Sequence, residues 1–334
     1  MTITRRSLLG ATLGATAIGG LALTGCSTTP SPASSGTPGA GKQYHIGVTQ
    51  IVTHPSLDAA RSGFKQALQD AGLTVTYDEQ NAQGDQATAA SIAAKFATAN
   101  LDLVLAIATP TAQATAQAVT TTPILFTAVT DPVAAKLVAS MDAPGGNVTG
   151  TTDMNPVADQ IGLIKQIKPT AKTVGVVYSS GEVNSEVQVR LARTAAQADG
   201  LTLVEKTITA TADLQQAVNS LGAVDAIYVP TDNNVVSGLS TVIQYAESKK
   251  IPVVVGEGDS VAKGGCITYG IDYNKLGYQT GQMAVQILTK GANPATMPVE
   301  SQKDLQLYVN TAAAARMGVT IPADLLAKAN KVGS

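Results

Sequence analysis

Polar and ionisable side chains of this 334-residue chain gather in six short clusters. Gln50, Thr53, His54 and Ser56 form the first, Thr109, Thr111 and Gln113 the second, and Thr127, Thr130 and Asp131 the third. Ser179, Ser180, Glu182, Asn184 and Ser185 form the fourth, Thr231, Asp232, Asn233 and Asn234 the fifth, and Glu257, Asp259 and Ser260 the sixth. Hydroxyls, amides and carboxylates of this kind hold polar or charged small molecules. The groups that would turn holding into catalysis are scarce. With two His and two Cys in the whole chain, a Cys/His zinc site, an iron–sulfur cluster and a disulfide framework are all disfavoured. Gly256-Glu257-Gly258 is followed by Val261 where a dinucleotide fingerprint requires Gly, and no phosphate-loop Gly-Lys-Ser/Thr or His-Glu-x-x-His string occurs. Gly258-Asp259-Ser260 has no histidine nearby to serve a hydrolase. No enzyme, cofactor or metal site is expected. Ser, Thr, Asn and Asp at strand–helix junctions also cap helices. For one residue that account competes evenly; for six clusters together it is poor.

Each cluster follows an apolar stretch, and these stretches recur in two copies. Tyr44–Thr49 reads as a strand, and Leu57, Ala60, Phe64, Ala67 and Leu68 mark a helix over Ser56–Asp70, with Ser56 as N-cap and Gly72 after its end. Gly47 and Gly175 stand 128 residues apart, as do Gly72 and Gly200, and Asp131 and Asp259; Pro123 and Pro252 stand 129 apart. Leu101–Leu105 likewise matches Val224–Tyr228. Strands that are apolar throughout, alternating with helices, belong to a parallel sheet covered on both faces. The fold class expected is α/β: two similar doubly wound parallel-sheet lobes joined by hinge crossovers. Such sheets bind ligands beyond the carboxyl ends of their strands, so all six clusters would face one interlobe cleft. The length suits about two domains, and 44% apolar residues suit well-formed cores. A net charge of −2, with no basic cluster after Arg5-Arg6, disfavours a nucleic-acid partner.

Residues 1–25 carry Arg5-Arg6, a Gly/Ala/Leu/Thr run and no acid, the make-up of an export signal. Thr4-Arg5-Arg6-Ser7-Leu8-Leu9 resembles a twin-arginine signal, with the general secretory route left open. Leu23-Thr24-Gly25-Cys26 resembles a bacterial lipobox. The resemblance makes Cys26 the lipidated first residue of a protein anchored outside the cytoplasm, and Ser27–Lys42, rich in Ser, Thr, Pro and Gly, a flexible tether. Cys266 then stands alone, as a small buried hydrophobe beside a strand. The organisation expected is signal 1–25, tether 26–43, first lobe 44–150 plus about 271–300, and second lobe 151–270 plus about 301–334. Gly145–Gly150 and Ile267–Asp272 are the crossovers sought in the sequence, followed by a helix at Gly277–Lys290, a strand at Leu305–Val309 and closing helices at Ala312–Met317 and Ala323–Ala329.

Four strings carry a family resemblance: Gly47-Val48-Thr49-Gln50-Ile51-Val52-Thr53-His54-Pro55-Ser56-Leu57-Asp58, Thr127-Ala128-Val129-Thr130-Asp131-Pro132, Pro230-Thr231-Asp232-Asn233 and Tyr269-Gly270-Ile271-Asp272-Tyr273-Asn274-Lys275-Leu276-Gly277. Together they resemble ABC-transporter substrate-binding lipoproteins of the tryptophan/tyrosine-binding type, over essentially all of 44–330. The resemblance implies a type I periplasmic-binding-protein fold whose lobes close on an amino acid, and an ABC permease with its ATPase as partners. At Tyr178-Ser179-Ser180-Gly181-Glu182-Val183-Asn184-Ser185 the chain departs from the pattern, where Gly181 looks like an insertion.

An amino-acid ligand sets definite demands. Its carboxylate wants helix N-termini and hydroxyls, for which Ser179, Ser180 and Ser56 are placed. Its ammonium wants an acid, Asp232 first and Asp131 or Glu257 behind it. Tyr178, Ile51 and Pro110 would wall its side chain, with His54 a polar wall residue. Gln50, Thr109, Thr130, Glu182, Asn184, Asn233 and Asp259 complete the expected ligand-binding set. A sugar or nucleoside ligand, or a sensory role on the same fold, are the alternatives; the absence of Trp and the three Phe residues leave few stacking platforms for a sugar.

Overall fold

The computed structural model describes residues 42–333; Arg5-Arg6, Cys26 and nearly all of the tether lie outside them. The chain begins with β1 (Gln43–Gln50), α1 (Pro55–Asp70), β2 (Thr74–Asn81), α2 (Gln86–Thr98), β3 (Leu103–Ile107), α3 (Thr109–Ala118), β4 (Ile124–Val129) and β5 (Val148–Thr152). It continues with α4 (Val157–Ile167), β6 (Thr173–Ser179), α5 (Val183–Ala198), β7 (Thr202–Ile208), α6 (Leu214–Asn219), β8 (Ala226–Val229), α7 (Asn233–Ser237), α8 (Leu239–Lys249), β9 (Val253–Val255), α9 (Gly258–Ala262) and β10 (Ile267–Gly270). Last come α10 (Tyr273–Lys290), β11 (Glu300–Ser301), β12 (Gln306–Val309), α11 (Thr311–Arg316), α12 (Ala323–Leu326) and β13 (Asn330–Lys331).

Two sheets result, ordered β11-β5-β4-β3-β1-β2 and β13-β12-β10-β9-β8-β6-β7. Within them β2-β1-β3-β4-β5 and β7-β6-β8-β9-β10 repeat one doubly wound order, all parallel. This is the duplication that the constant offset predicts. The inner strands β3, β4 and β9 are buried along their whole length, as strands covered on both faces must be. The edge strands β2 and β7 are half-exposed and carry Asp78, Glu79, Glu205 and Lys206, charges that discourage pairing with another sheet.

Each sheet carries its own apolar core, and the tail is shared between them. Ile271, Tyr273, Leu276, Met283, Ala284 and Ile287 join the first core, whereas Leu307, Val309, Ala314, Met317 and Leu325 join the second. The chain therefore crosses between the lobes at 153–156, at 271–272 and at 302–305. Helix α10 lies flat on α1 because Gly63, Gly277 and Gly281 have no side chain; a Cβ on Gly277 would strike the backbone of Ala60.

The first crossover is not the Gly145–Gly150 stretch. Val148–Thr152 is β5, an inner strand of the first sheet, paired with β4 and with β11. Gly150 serves close strand packing instead of a hinge: a Cβ there would collide with the Phe126 backbone, beside the irregular register of β4 and β5. The crossing segment is Asp153–Pro156, without glycine. Cys266 is fully buried with its Sγ 3.3 Å from Met317 Sδ, and burial pushes its thiol up to about 12.

Candidate functional site

Between the lobes, at the carboxyl ends of their strands, lies a small cavity of about 10 Å³. The first lobe and α10 supply His54, Leu57, Ala128, Thr130 and Tyr273, the crossover Asp153, and the second lobe Asn184, Thr231, Asn233, Val236 and Glu257. Among the described residues, no lysine or arginine lines it.

One end of the cavity is acidic. Asp153 receives the Tyr273 hydroxyl on Oδ2 at 2.7 Å and the Thr130 hydroxyl on Oδ1 at 3.1 Å. Glu257, the residue preceding α9, receives the Ser260 hydroxyl at 2.8 Å. Burial raises both carboxyls, Glu257 to about 8, and Asp153 and Asp259 add their negative charge to the effect on Glu257. Two acids without a facing base favour a ligand that brings positive charge. Beside them the backbone is strained: Ala108 and Ala128 hold φ of +82° and +56° at the ends of β3 and β4. Alanine at positive φ costs about 1–3 kcal/mol and survives where the surroundings over-determine it, as at ligand clamps. Thr109, just after Ala108 at the start of α3, has a buried hydroxyl with no partner among the described residues.

Neutral side chains make up the rest of the polar lining. His54 precedes α1 without capping it, and burial holds its imidazole down to about 4, hence neutral. Behind it, Glu182 Oε2 accepts from Asn184 Nδ2 at 2.9 Å and from Asn233 Nδ2 at 2.6 Å. Burial, and then the charge of Asp232, raises the Glu182 carboxyl.

Of the expected ligand-binding set, the cavity brings together His54, Thr130, Asn184, Asn233 and Glu257. Others do different work. Asp232 does not line the cavity: it caps α7, accepting from Val235 N and Ser185 Oγ at 2.9 and 2.7 Å and from the Ser179 amide and hydroxyl. Its lone pairs are spent inside the second lobe. Asp131 caps its own turn through the Val133 and Ala134 amides at 3.2 and 2.9 Å. Ser180 is exposed in the turn before α5. Gln50 braces the β1–α1 loop, donating to Val52 O and Asp58 Oδ1. Ser179 and Glu182 stand behind the wall; with Ile51 and Pro110 they border a neighbouring recess, and Tyr178 packs on the second core. Ser56 and Asp259 meet across the cleft at 3.0 Å, and Gln86 Nε2 reaches Gly181 O at 2.9 Å on another part of the rim.

Asp153 and Tyr273 are additions. Asp153 follows β5, the position at which the other clusters were sought, but the misplaced crossover ended the first lobe before it. Tyr273 stands in the Tyr269–Gly277 string without a role assigned to it.

Residues 45–333 match the family of ABC transporter substrate-binding proteins. The chain belongs to that family. It is a substrate-binding protein, not an enzyme, and such proteins work outside the cytoplasm, passing a small molecule to a permease. A tyrosine-binding protein of Clostridioides difficile (strain R20291) is 43% identical over 274 residues, 80% of this chain and 79% of that one. A solved Streptococcus pneumoniae structure, the ABC domain in complex with L-Trp, is 39% identical, covers 87% of this chain and all of its own, and superposes with a TM-score of 0.84. The ligand-free, open structure of a substrate-binding protein with adhesive properties from Clostridium difficile is 44% identical over 87% of this chain and 99% of its own, yet its TM-score is 0.65. This substrate-binding protein thus has its lobes arranged more like the L-Trp complex than like the open structure. Among the described residues no helix is long and apolar enough to cross a membrane.

Proposed function

We propose that this substrate-binding protein captures an aromatic amino acid in the interlobe cavity and delivers it to the permease and ATPase of an ABC importer. The observation that carries this is the pair of buried carboxyls, Asp153 and Glu257, in an interlobe cavity that no lysine or arginine lines among the described residues. Glu257 is the first partner for the ammonium, because Tyr273 and Thr130 already occupy Asp153. The carboxylate is met by the unpartnered hydroxyl of Thr109 and by the N-terminus of α3, where unpaired amides favour an anion. Leu57, Ala128, Val236 and the Tyr273 ring supply the wall for the side chain. A tyrosine-binding relative and an L-Trp complex at about 40% identity support the ligand class. A neutral sugar would leave two buried carboxyls facing no cation.

The chain has no Trp, so added L-tryptophan is the only indole present. Its emission shifts to shorter wavelength if it enters the cavity, and L-tyrosine is followed by calorimetry. Saturable binding of either is expected; binding of a pentose or hexose with neither amino acid bound would refute the proposal.

We also propose that export and lipidation at Cys26, outside the described residues, tie the protein to the outer face of the cell membrane. Cys26→Ala should release it or leave it unprocessed. A mature, lipid-labelled variant would contradict this.

A further inference from the structure

Two hydrogen-bond acceptors in the cavity wall have no partner among the described residues: His54 Nδ1 and Asn184 Oδ1. Both belong to residues almost wholly buried, 6% and 2% exposed, and both residues line the cavity. Their chemistry is fixed from behind. Asn184 Nδ2 donates to Glu182 Oε2, Ser185 Oγ and Thr231 O at 2.9, 3.3 and 3.0 Å. Turning the amide over would set its oxygen against three acceptors, so Oδ1 is the free atom. Asn233 Nδ2 donates to the same Glu182 oxygen at 2.6 Å. A neutral imidazole has one N–H and one lone pair, and with the proton on Nε2 the unpartnered Nδ1 is the acceptor. Glu182 thus positions both asparagines.

We propose that His54 Nδ1 and Asn184 Oδ1 determine specificity by demanding a hydrogen-bond donor on the ligand's side chain, so that a phenol or indole is accepted and a plain phenyl ring refused. The inference rests on the amino-acid assignment above, with the acidic end taking the ammonium. A phenyl ring shut against these acceptors leaves them dry and unpaired, a cost that a donor-bearing ring removes. Sites built to bond a substrate hydroxyl reject the analogue lacking it by orders of magnitude.

The test is calorimetric titration of the wild-type protein with L-tyrosine, L-tryptophan, L-phenylalanine and 4-fluoro-L-phenylalanine, whose fluorine fills space without donating. The better of L-tyrosine and L-tryptophan should bind at least tenfold more tightly than either phenylalanine. In His54→Leu that ratio should shrink severalfold, through lost affinity for the donor-bearing ligand. L-Phenylalanine binding as tightly as the others in the wild type overturns the proposal and leaves the aromatic-amino-acid assignment standing. Binding of none of the four overturns both. Because the wild-type comparison needs no variant, poor folding of His54→Leu cannot rescue the idea.

Discussion

Truncating Asp232 separates a structural carboxylate from a ligand-binding one. The side chain is fully buried and accepts from the amides of Ser179 and Val235 and the hydroxyls of Ser179 and Ser185. In Asp232→Ala the two hydroxyls can turn to other acceptors, but the two amides stay buried and unpaired. Each stranded donor costs about 1–3 kcal/mol, the Val235 amide being the α7 cap itself. Burial disfavours the charged carboxylate and raises its pKa, so removing the charge returns part of that loss. The net expectation is a destabilisation of about 2–5 kcal/mol, a large share of the ~5–15 kcal/mol that holds a protein folded. Urea unfolding should show the midpoint lowered with an unchanged slope. Calorimetry on the folded variant should find ligand affinity within about threefold of wild type, under 1 kcal/mol. A tenfold or greater loss of affinity with an unmoved unfolding midpoint would refute this assignment and return Asp232 to the ligand.

The converse holds at Glu257: losing a desolvated charge partner costs about 2–5 kcal/mol, so Glu257→Gln should bind at least about thirtyfold more weakly, with its melting temperature kept; unchanged affinity would remove Glu257 from the ammonium site. Stability should also depend on pH with a definite sign. The Glu257 carboxyl is raised from 4.5 to about 8 in the folded protein, so the fold keeps a proton that the unfolded chain releases, and ligand-free stability should fall as pH rises from about 4.5 to 8. The depressed carboxyls of Asp78, Asp85, Asp213 and Asp225 act the opposite way, losing their contribution only as pH falls below the ordinary aspartate range. Thermal unfolding across pH 5 to 9 should therefore slope downward in the wild type and less so in Glu257→Gln; a steady rise would contradict the burial of that acid.

Much of the fold was legible because a duplicated doubly wound lobe repeats its own landmarks: β1 and β6, β4 and β9, and the glycines between them recur at a nearly fixed offset. The crossovers were harder. Gly145–Gly150 has the composition of a hinge, yet Gly150 is glycine for strand packing against Phe126, which only the paired strands reveal. At the candidate site, strand-end position singled out His54, Thr130, Asn184, Asn233 and Glu257, which line one cavity. It could not tell a carboxylate facing the cavity from one facing its own helix: Asp232 and Glu257 both follow a β-strand, and Asp232 turns back to α7 while Glu257 lines the cavity. Direction of that kind depends on which donors lie within reach, Ser179 and Ser185 for Asp232, and those arrive from segments about fifty residues away.

A crystal structure of the mature protein grown with L-tyrosine or L-tryptophan tests the central claim most directly. The account predicts the amino acid between the lobes, its ammonium within hydrogen-bond distance of Glu257 or Asp153 and its ring toward His54 and Asn184. A ligand bound outside that cavity, or one seated in it with its carboxylate against the two acids, would contradict the account.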